Sequence, residues 1–350
     1  MTRGAFAAVL VAVALLMAGC AAPGTTTVAR FVSPAAAVPT GVFSLVPGDD
    51  PALTQTGGGT YLSWDLPPAA PVPPGGTGLP RMVLARIDPR SGTIEATNTF
   101  SAGLLGAPLF AAGSLWVTDS ASLGELLLRL DPATLMVTGE LSLSAARYPQ
   151  GSHLAYAGGW LWADGGGRLL RVSPSVVTLT ASIALRGALR SNVAASPDGS
   201  VLIVTEQGPA GAVQRRDPRT GALLAADPIA AAAVDGFTGS SVWVTAVSGT
   251  SARAERLSLR SLRPVTTHPV SGPAGLRVQV ADGKLWVAGG QDGDYCADAG
   301  TGRAIAALPA EGPGHGGPLA VGDRVLYYTE PAPHGTGTRI APVPIPGGCG

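Results

Sequence analysis

A segment of roughly forty-two residues recurs along this chain, and that recurrence limits its fold more than any other feature. Two landmarks carry it. The first is an apolar run centred on a bulky side chain, at Leu62, Trp116, Trp162, Ile203, Trp243, Trp286 and Tyr327, in contexts such as Ser114-Leu115-Trp116-Val117 and Lys284-Leu285-Trp286-Val287. Its successive spacings are 54, 46, 41, 40, 43 and 41. The second is a polar turn at Asp88, Asp131, Ser173, Asp217, Ser258 and Asp298, spaced 43, 42, 44, 41 and 40. In its fullest forms, Asp88-Pro89-Arg90-Ser91-Gly92 and Asp217-Pro218-Arg219-Thr220-Gly221, Pro initiates the turn and Gly stands at its exit. A unit of this size cannot bury its apolar face alone, so it must stack against its neighbours.

Composition then separates helical from β repeats. Hydrophobic residues make up 46% of the chain, while 49 Gly and 31 Pro punctuate short Trp-Val and Leu-Ile-Val runs that do not make helices. The prediction is therefore an all-β chain: a seven-bladed β-propeller with four-stranded blades, occupying residues 41–350. A Pro/Gly-rich insertion at 66–80 in blade one, with PPAAPVPPGG in its middle, accounts for the long first spacing. Seven strand landmarks stand against six turns, because the third-to-fourth turn is missing from the last repeat. The absent outer strand is assigned to Gly41–Val46, an N-terminal strand closing the last blade.

The amino terminus reads as an export signal. Arg3 supplies a minimal positive region, and Ala5 to Met17 is an apolar stretch too short for a permanent membrane span. Met17-Ala18-Gly19-Cys20 is similar to a bacterial lipobox, with Met where Leu is usual. Residues 1–19 are then a lipoprotein signal peptide, and Cys20 is lipidated (diacylglycerol with palmitate-type chains). Residues 20–40 carry the lipidated Cys and a flexible tether. Plain secretion with cleavage near Ala22 is the alternative. The lipid reading places the domain on the extracytoplasmic side of the cell membrane. In that oxidising compartment Cys296 and Cys349 remain as a candidate disulfide, with free thiols as the alternative.

The segment Ala194-Ala195-Ser196-Pro197-Asp198-Gly199-Ser200-Val201-Leu202-Ile203-Val204-Thr205 resembles the inner hairpin of the YncE and YVTN-type bacterial propellers of the quinoprotein-like superfamily. Its Asp-Pro-x-x-Gly turns are similar to theirs. The resemblance covers residues 41–350 and its motifs are structural, so it implies a fold and not an activity.

Charge excludes some partners: 23 basic and 23 acidic residues, scattered singly, give no field to gather nucleic acid. Candidate site residues lie at one end of the expected ring, where inter-blade connections meet second-to-third-strand hairpins. His153, His268 and His315 fall in the connections and His334 in such a hairpin. Aligning the first strands puts His153, Asn192 and Arg277 at one position, just before the inner strand, with Ala107 and Gly317 at the same place in blades two and seven. A donor-rich channel mouth of this kind suits a carboxylate, sugar or phosphate. His153, Asn192, Arg277, His315 and His334 are thus the candidate ligand-binding set.

Asp292, Asp294 and Asp298 alternate as a calcium loop begins, yet no acidic residue closes a twelve-residue loop and a Gly-Asp hairpin explains them. No nucleophile elbow or phosphate loop is present, and no metal or cofactor is expected. The expected function is a monomeric binding or scaffold protein of the cell envelope, presenting this face to an envelope protein, a glycan or a small ligand. The alternative is a His/metal-dependent lyase resembling streptogramin lyases. A quinone-dependent dehydrogenase fits less well, because Thr220-Gly221 is followed by Ala222 to Ala226 and not by the Trp of that family's repeats.

Overall fold

The computed structural model describes strands and turns between residues 43 and 349. Residues 1–42, 67–80, 144–152 and 309–319, with shorter connecting stretches, lie outside the described residues. The signal, Cys20, the tether, the blade-one insertion, His268, His315 and His334 therefore fall outside them.

The described residues form seven separate antiparallel sheets, six of four strands and one of five. The first contains Asp49–Thr56, Gly59–Leu66, Arg81–Ile87 and Ile94–Phe100. In the second, the inner position is split between Leu104–Leu105 and Leu109–Ala111, both paired to Ser114–Ala121, which gives the fifth strand. The third to sixth sheets begin at Leu154, Arg190, Ala231 and Arg277, and each runs in simple meander order. The seventh combines Ala320–Val321, Val325–Pro331 and Thr338–Pro344 with Phe43–Val46, whose Phe43 pairs with Ile340 and Val46 with Thr338. Every strand landmark lies on a second strand and every polar turn joins a third strand to a fourth.

The turns show why Asp recurs there. Asp217 Oδ1 accepts the backbone N–H of Arg219 (2.9 Å) and of Thr220 (2.8 Å), and the Thr220 hydroxyl (2.9 Å). Asp131 repeats this with Ala133 and Thr134, and Asp298 with Thr301. Thr hydrogen bonds hold all three carboxyls below the ordinary carboxylate value. Gly221 follows at φ +75°, and a Cβ there would sit 2.8 Å from the Trp162 ring. Glycine is required at that exit twice over, by its backbone and by the tryptophan packed on it.

Consecutive sheets pack through apolar faces, and five of the six hydrophobic clusters among the described residues draw on two neighbouring sheets. Trp243 of the fifth sheet packs with Val278, Leu285 and Ala297 of the sixth; Trp162 of the third packs with Val193, Leu202 and Val204 of the fourth. Both indoles are fully buried. A polar latch lies beside this packing. Trp162 Nε1 donates to Pro218 O (3.0 Å), Trp243 Nε1 to Ala299 O (2.9 Å), and Tyr61 Oη to Pro132 O (3.2 Å). Each acceptor is the carbonyl just after the turn residue of the next sheet. Burial pushes the Tyr61 phenol up to about 12, so its donor proton is retained across the ordinary pH range.

Arginine completes the latch. Arg86, Arg129, Arg171, Arg215 and Arg256 each stand two residues before a turn landmark, on a third strand. Arg86 donates to Pro132 O (3.3 Å), Arg129 to Pro174 O and Ser175 O (both 3.5 Å), Arg171 to Arg219 O, and Arg215 to Leu259 O (2.9 Å). In the sixth sheet the same position is Cys296, and it bonds to Cys349 with a Cα separation of 6.2 Å. The sequence-predicted disulfide is therefore present, standing where the other sheets use a guanidinium.

Candidate functional site

The two ends of the sheets differ. The turn end carries the third-to-fourth turns and first-to-second hairpins; the mouth end carries the inter-sheet connections and second-to-third hairpins. The candidate ligand residues belong to the mouth end.

Strand register places them. Ala155 pairs with Trp162, Ala194 with Ile203 and Gln279 with Trp286, so His153, Asn192 and Arg277 each stand two residues before the partner of a landmark. Their equivalence holds, but the strand boundaries differ from expectation. His153 precedes Leu154–Ala157, Asn192 is the third residue of Arg190–Ala195, and Arg277 opens Arg277–Ala281. Their environments also differ: Asn192 is buried, His153 is half-buried and Arg277 is exposed. No hydrogen bond or ion pair joins the three among the described residues.

What gathers there instead is a carboxylate that sequence reading missed. Asp164, 5% exposed, accepts the backbone N–H of His153 on Oδ1 (2.5 Å) and the Ser191 hydroxyl on Oδ2 (3.0 Å). It thereby ties the third sheet to the fourth. His153 Nδ1 lies 3.5 Å from the same Oδ1, too far for a well-formed hydrogen bond, which leaves that buried nitrogen without one. Asp, His and Ser together suggest nucleophilic catalysis by composition, but the geometry does not. Ser191 donates to the carboxylate and not to imidazole, so the hydroxyl has no base.

On the same strand as Ser191, Asn192 pairs directly across from Thr205 of the next strand. Asn192 is 3% exposed and Thr205 fully buried, and Asn192 Oδ1 and Thr205 Oγ1 both lack a partner. An unsatisfied buried polar atom costs about 1–3 kcal/mol, so a polar guest that reached this cross-strand pair would relieve both atoms. Asp164 and Thr205 share a detectable signal: each lies two residues after a strand landmark, as Thr118 and Thr245 do.

Asp235 gave no such signal, because it sits in an irregularity between Val234 and Gly236 where register shifts. It is 6% exposed and accepts the Thr245 hydroxyl (2.8 Å). Burial raises its carboxyl well above the usual value, with Thr245 opposing in part. A carboxyl that holds its proton more tightly in the fold than in the unfolded chain lowers stability as pH rises above about 4. Asp235→Asn should therefore raise the melting temperature at pH 7 and give no gain at pH 3. Equal gains at both pH values would show that the proton is not the cause.

Metal ligation finds no support among the described residues, where no group of three or more His, Cys, Asp or Glu side chains is placed to hold an ion. Asp294 instead accepts the Gly289 N–H within its hairpin (2.8 Å), and Asp298 serves its own turn. A cavity of about 690 Å3 lies at the turn end, between the third and fourth sheets, lined by residues including Tyr156, Gly158, Asp198, Asp217 and Arg219. Asp198 and Asp217 there each commit Oδ1 to turn hydrogen bonds.

No family model matches the sequence, and no curated protein matches it either. Solved structures do share its fold. A chain in the crystal structure of the mitotic checkpoint complex is similar with TM-score 0.57 at 12% identity, over 90% of this chain and 98% of that one. Dihydro-heme d1 dehydrogenase NirN, solved in complex with DHE, gives 0.53 at 14%, over 81% of this chain and 61% of that one. BamB from Moraxella catarrhalis gives 0.50 at 10%, over 85% of each. At these identities the likeness shows the fold alone, and that fold is a β-propeller.

Proposed function

We propose that this chain is an exported, lipid-anchored propeller of the YncE and YVTN type, acting as a non-enzymatic binding or scaffold protein of the cell envelope. Its seven sheets are the seven blades of one ring, and the pairing of Phe43–Val46 with Thr338–Pro344 supports closure by the amino-terminal strand. The observation that carries the envelope reading is the Cys296–Cys349 disulfide, a cross-link retained in oxidising compartments. It accounts for two of the three cysteines and leaves Cys20 for lipid. The mouth supports binding over catalysis, because Asp164 and Ser191 hold blades together while Asn192 and Thr205 offer a buried acceptor and donor.

The test is Cys20→Ala expressed in a bacterial host with the signal intact. The variant should be exported, take up no labelled lipid and appear outside the membrane fraction. Persistent lipid labelling, or unchanged membrane retention, would reject the anchor.

A further inference from the structure

Large apolar side chains exposed on this protein are not scattered. Of ten such residues among those described, nine lie on fourth strands or in the segments that lead into them, at the turn end; the exception is Val247, at the mouth end. The placement is periodic. Ile94, Val137, Leu179 and Leu223 each stand six residues after a turn landmark, while Val265 and Ile305 stand seven after theirs. Ile94, Val137, Leu179 and Leu223 each pair with the residue just before the turn landmark, and Val265 and Ile305 stand one residue further along, so six consecutive blades each place an exposed apolar side chain within about one strand residue of the same height, as a broken apolar rim. Outer strands are sheet edges, where exposed apolar side chains are a liability unless something covers them.

The path of the chain says what covers them. Thr338–Pro344 runs toward the turn end, because its last residue pairs with Val325, the first of the preceding strand. Phe43 pairs nearer that end of the strand than Val46 does, so the chain enters the seventh blade from the turn end. About twenty-three residues separate Cys20 from Phe43. At about 5–6 Å × √n, a linker of that length would reach roughly 25–30 Å if it were a flexible coil. On the lipid-anchor reading, the chain that leads from Cys20 thus joins the described strands from the end that carries the rim. A rim spread over six blades at close to one height is met all at once by a plane, whereas a globular partner would meet a fraction of it.

We infer that the turn-end rim rests on the lipid bilayer that holds the anchor, its repeated apolar side chains entering the headgroup boundary and the channel mouth facing away. The inference rests on the lipid-anchor reading above. Rim and anchor are then two weak membrane contacts acting together, and each raises the local concentration of the other.

The test uses the full lipidated chain reconstituted into vesicles of equal parts phosphatidylcholine and phosphatidylglycerol. Ile94→Cys, Leu179→Cys and Leu223→Cys are each labelled with an environment-sensitive fluorophore, with Val247→Cys as the control at the opposite end. Spin-labelled lipid should quench the three rim labels at least roughly twofold more than the control. Rim labels no more quenched than the control, in protein that stays with the vesicles, overturn the inference while leaving the anchor intact. Rim labels shielded without lipid quenching, in protein of doubled mass, overturn it in favour of a second copy. Protein that leaves the vesicles altogether rejects the anchor, and the docking with it.

Discussion

Removing the Cys296–Cys349 bridge, by reductant or by Cys296→Ala with Cys349→Ala, is expected to lower stability by about 4 kcal/mol. The two cysteines are 53 residues apart, and a closed loop of that length restricts the unfolded chain by about this amount in the chain-entropy model. For some 300 folded residues this corresponds to a fall in Tm of about 6 °C. The location adds to the effect. Cys296 and Cys349 share a buried cluster with Ala281, Trp286 and Leu308, so the bridge fixes the segment after the last blade onto the sixth blade. A change below one degree on reduction, with free thiols verified by peptide mapping, would show that the joint holds without the covalent bond.

The second large effect is expected at the fifth blade. Trp243→Ala removes a fully buried indole from the contact between fifth and sixth blades and should cost about 3–5 kcal/mol in urea unfolding. Trp243→Phe keeps most of the packing but strips Ala299 O of its donor, for a cost of about 1–3 kcal/mol. Trp286 occupies the equivalent landmark in the sixth blade, and its Nε1 already lacks a partner. Trp286→Phe should therefore cost clearly less than Trp243→Phe. Similar losses for the two Phe variants would mean that the indole hydrogen bond is not what joins the blades.

Much of the fold was legible because each landmark has one physical cause. A bulky apolar residue at Trp116, Trp162 or Trp243 marks a second strand, since that strand lies between two others and between two sheets. Asp131, Asp217 and Asp298 mark one turn because a carboxylate there accepts two or three local donors. The latches were not legible. Arg86, Arg129, Arg171 and Arg215 recur visibly, but their partners are main-chain carbonyls, which leave no trace in residue identity. At the mouth, alignment found His153 and Asn192 yet missed Asp164, because a landmark read for its bulk gives no reason to count two residues past it. Asp235 was beyond reach in principle, since an extra residue in a strand shifts every later position to the other face.

The latch acceptors have a consequence for how such a chain can change over time. Pro132, Pro174, Pro218, Leu259 and Ala299 offer the same main-chain oxygen whether the residue is Pro, Leu or Ala, and Tyr, Arg and Trp all serve as donors to carbonyls at that place. Any blade that keeps the turn shape offers the right oxygen, and any blade that places one long donor at its partner strand can use it. The latch itself therefore asks for no matching side chain next door, and its donor can change between Tyr, Arg and Trp while the joint still forms; the matching that remains is in the apolar packing beside it.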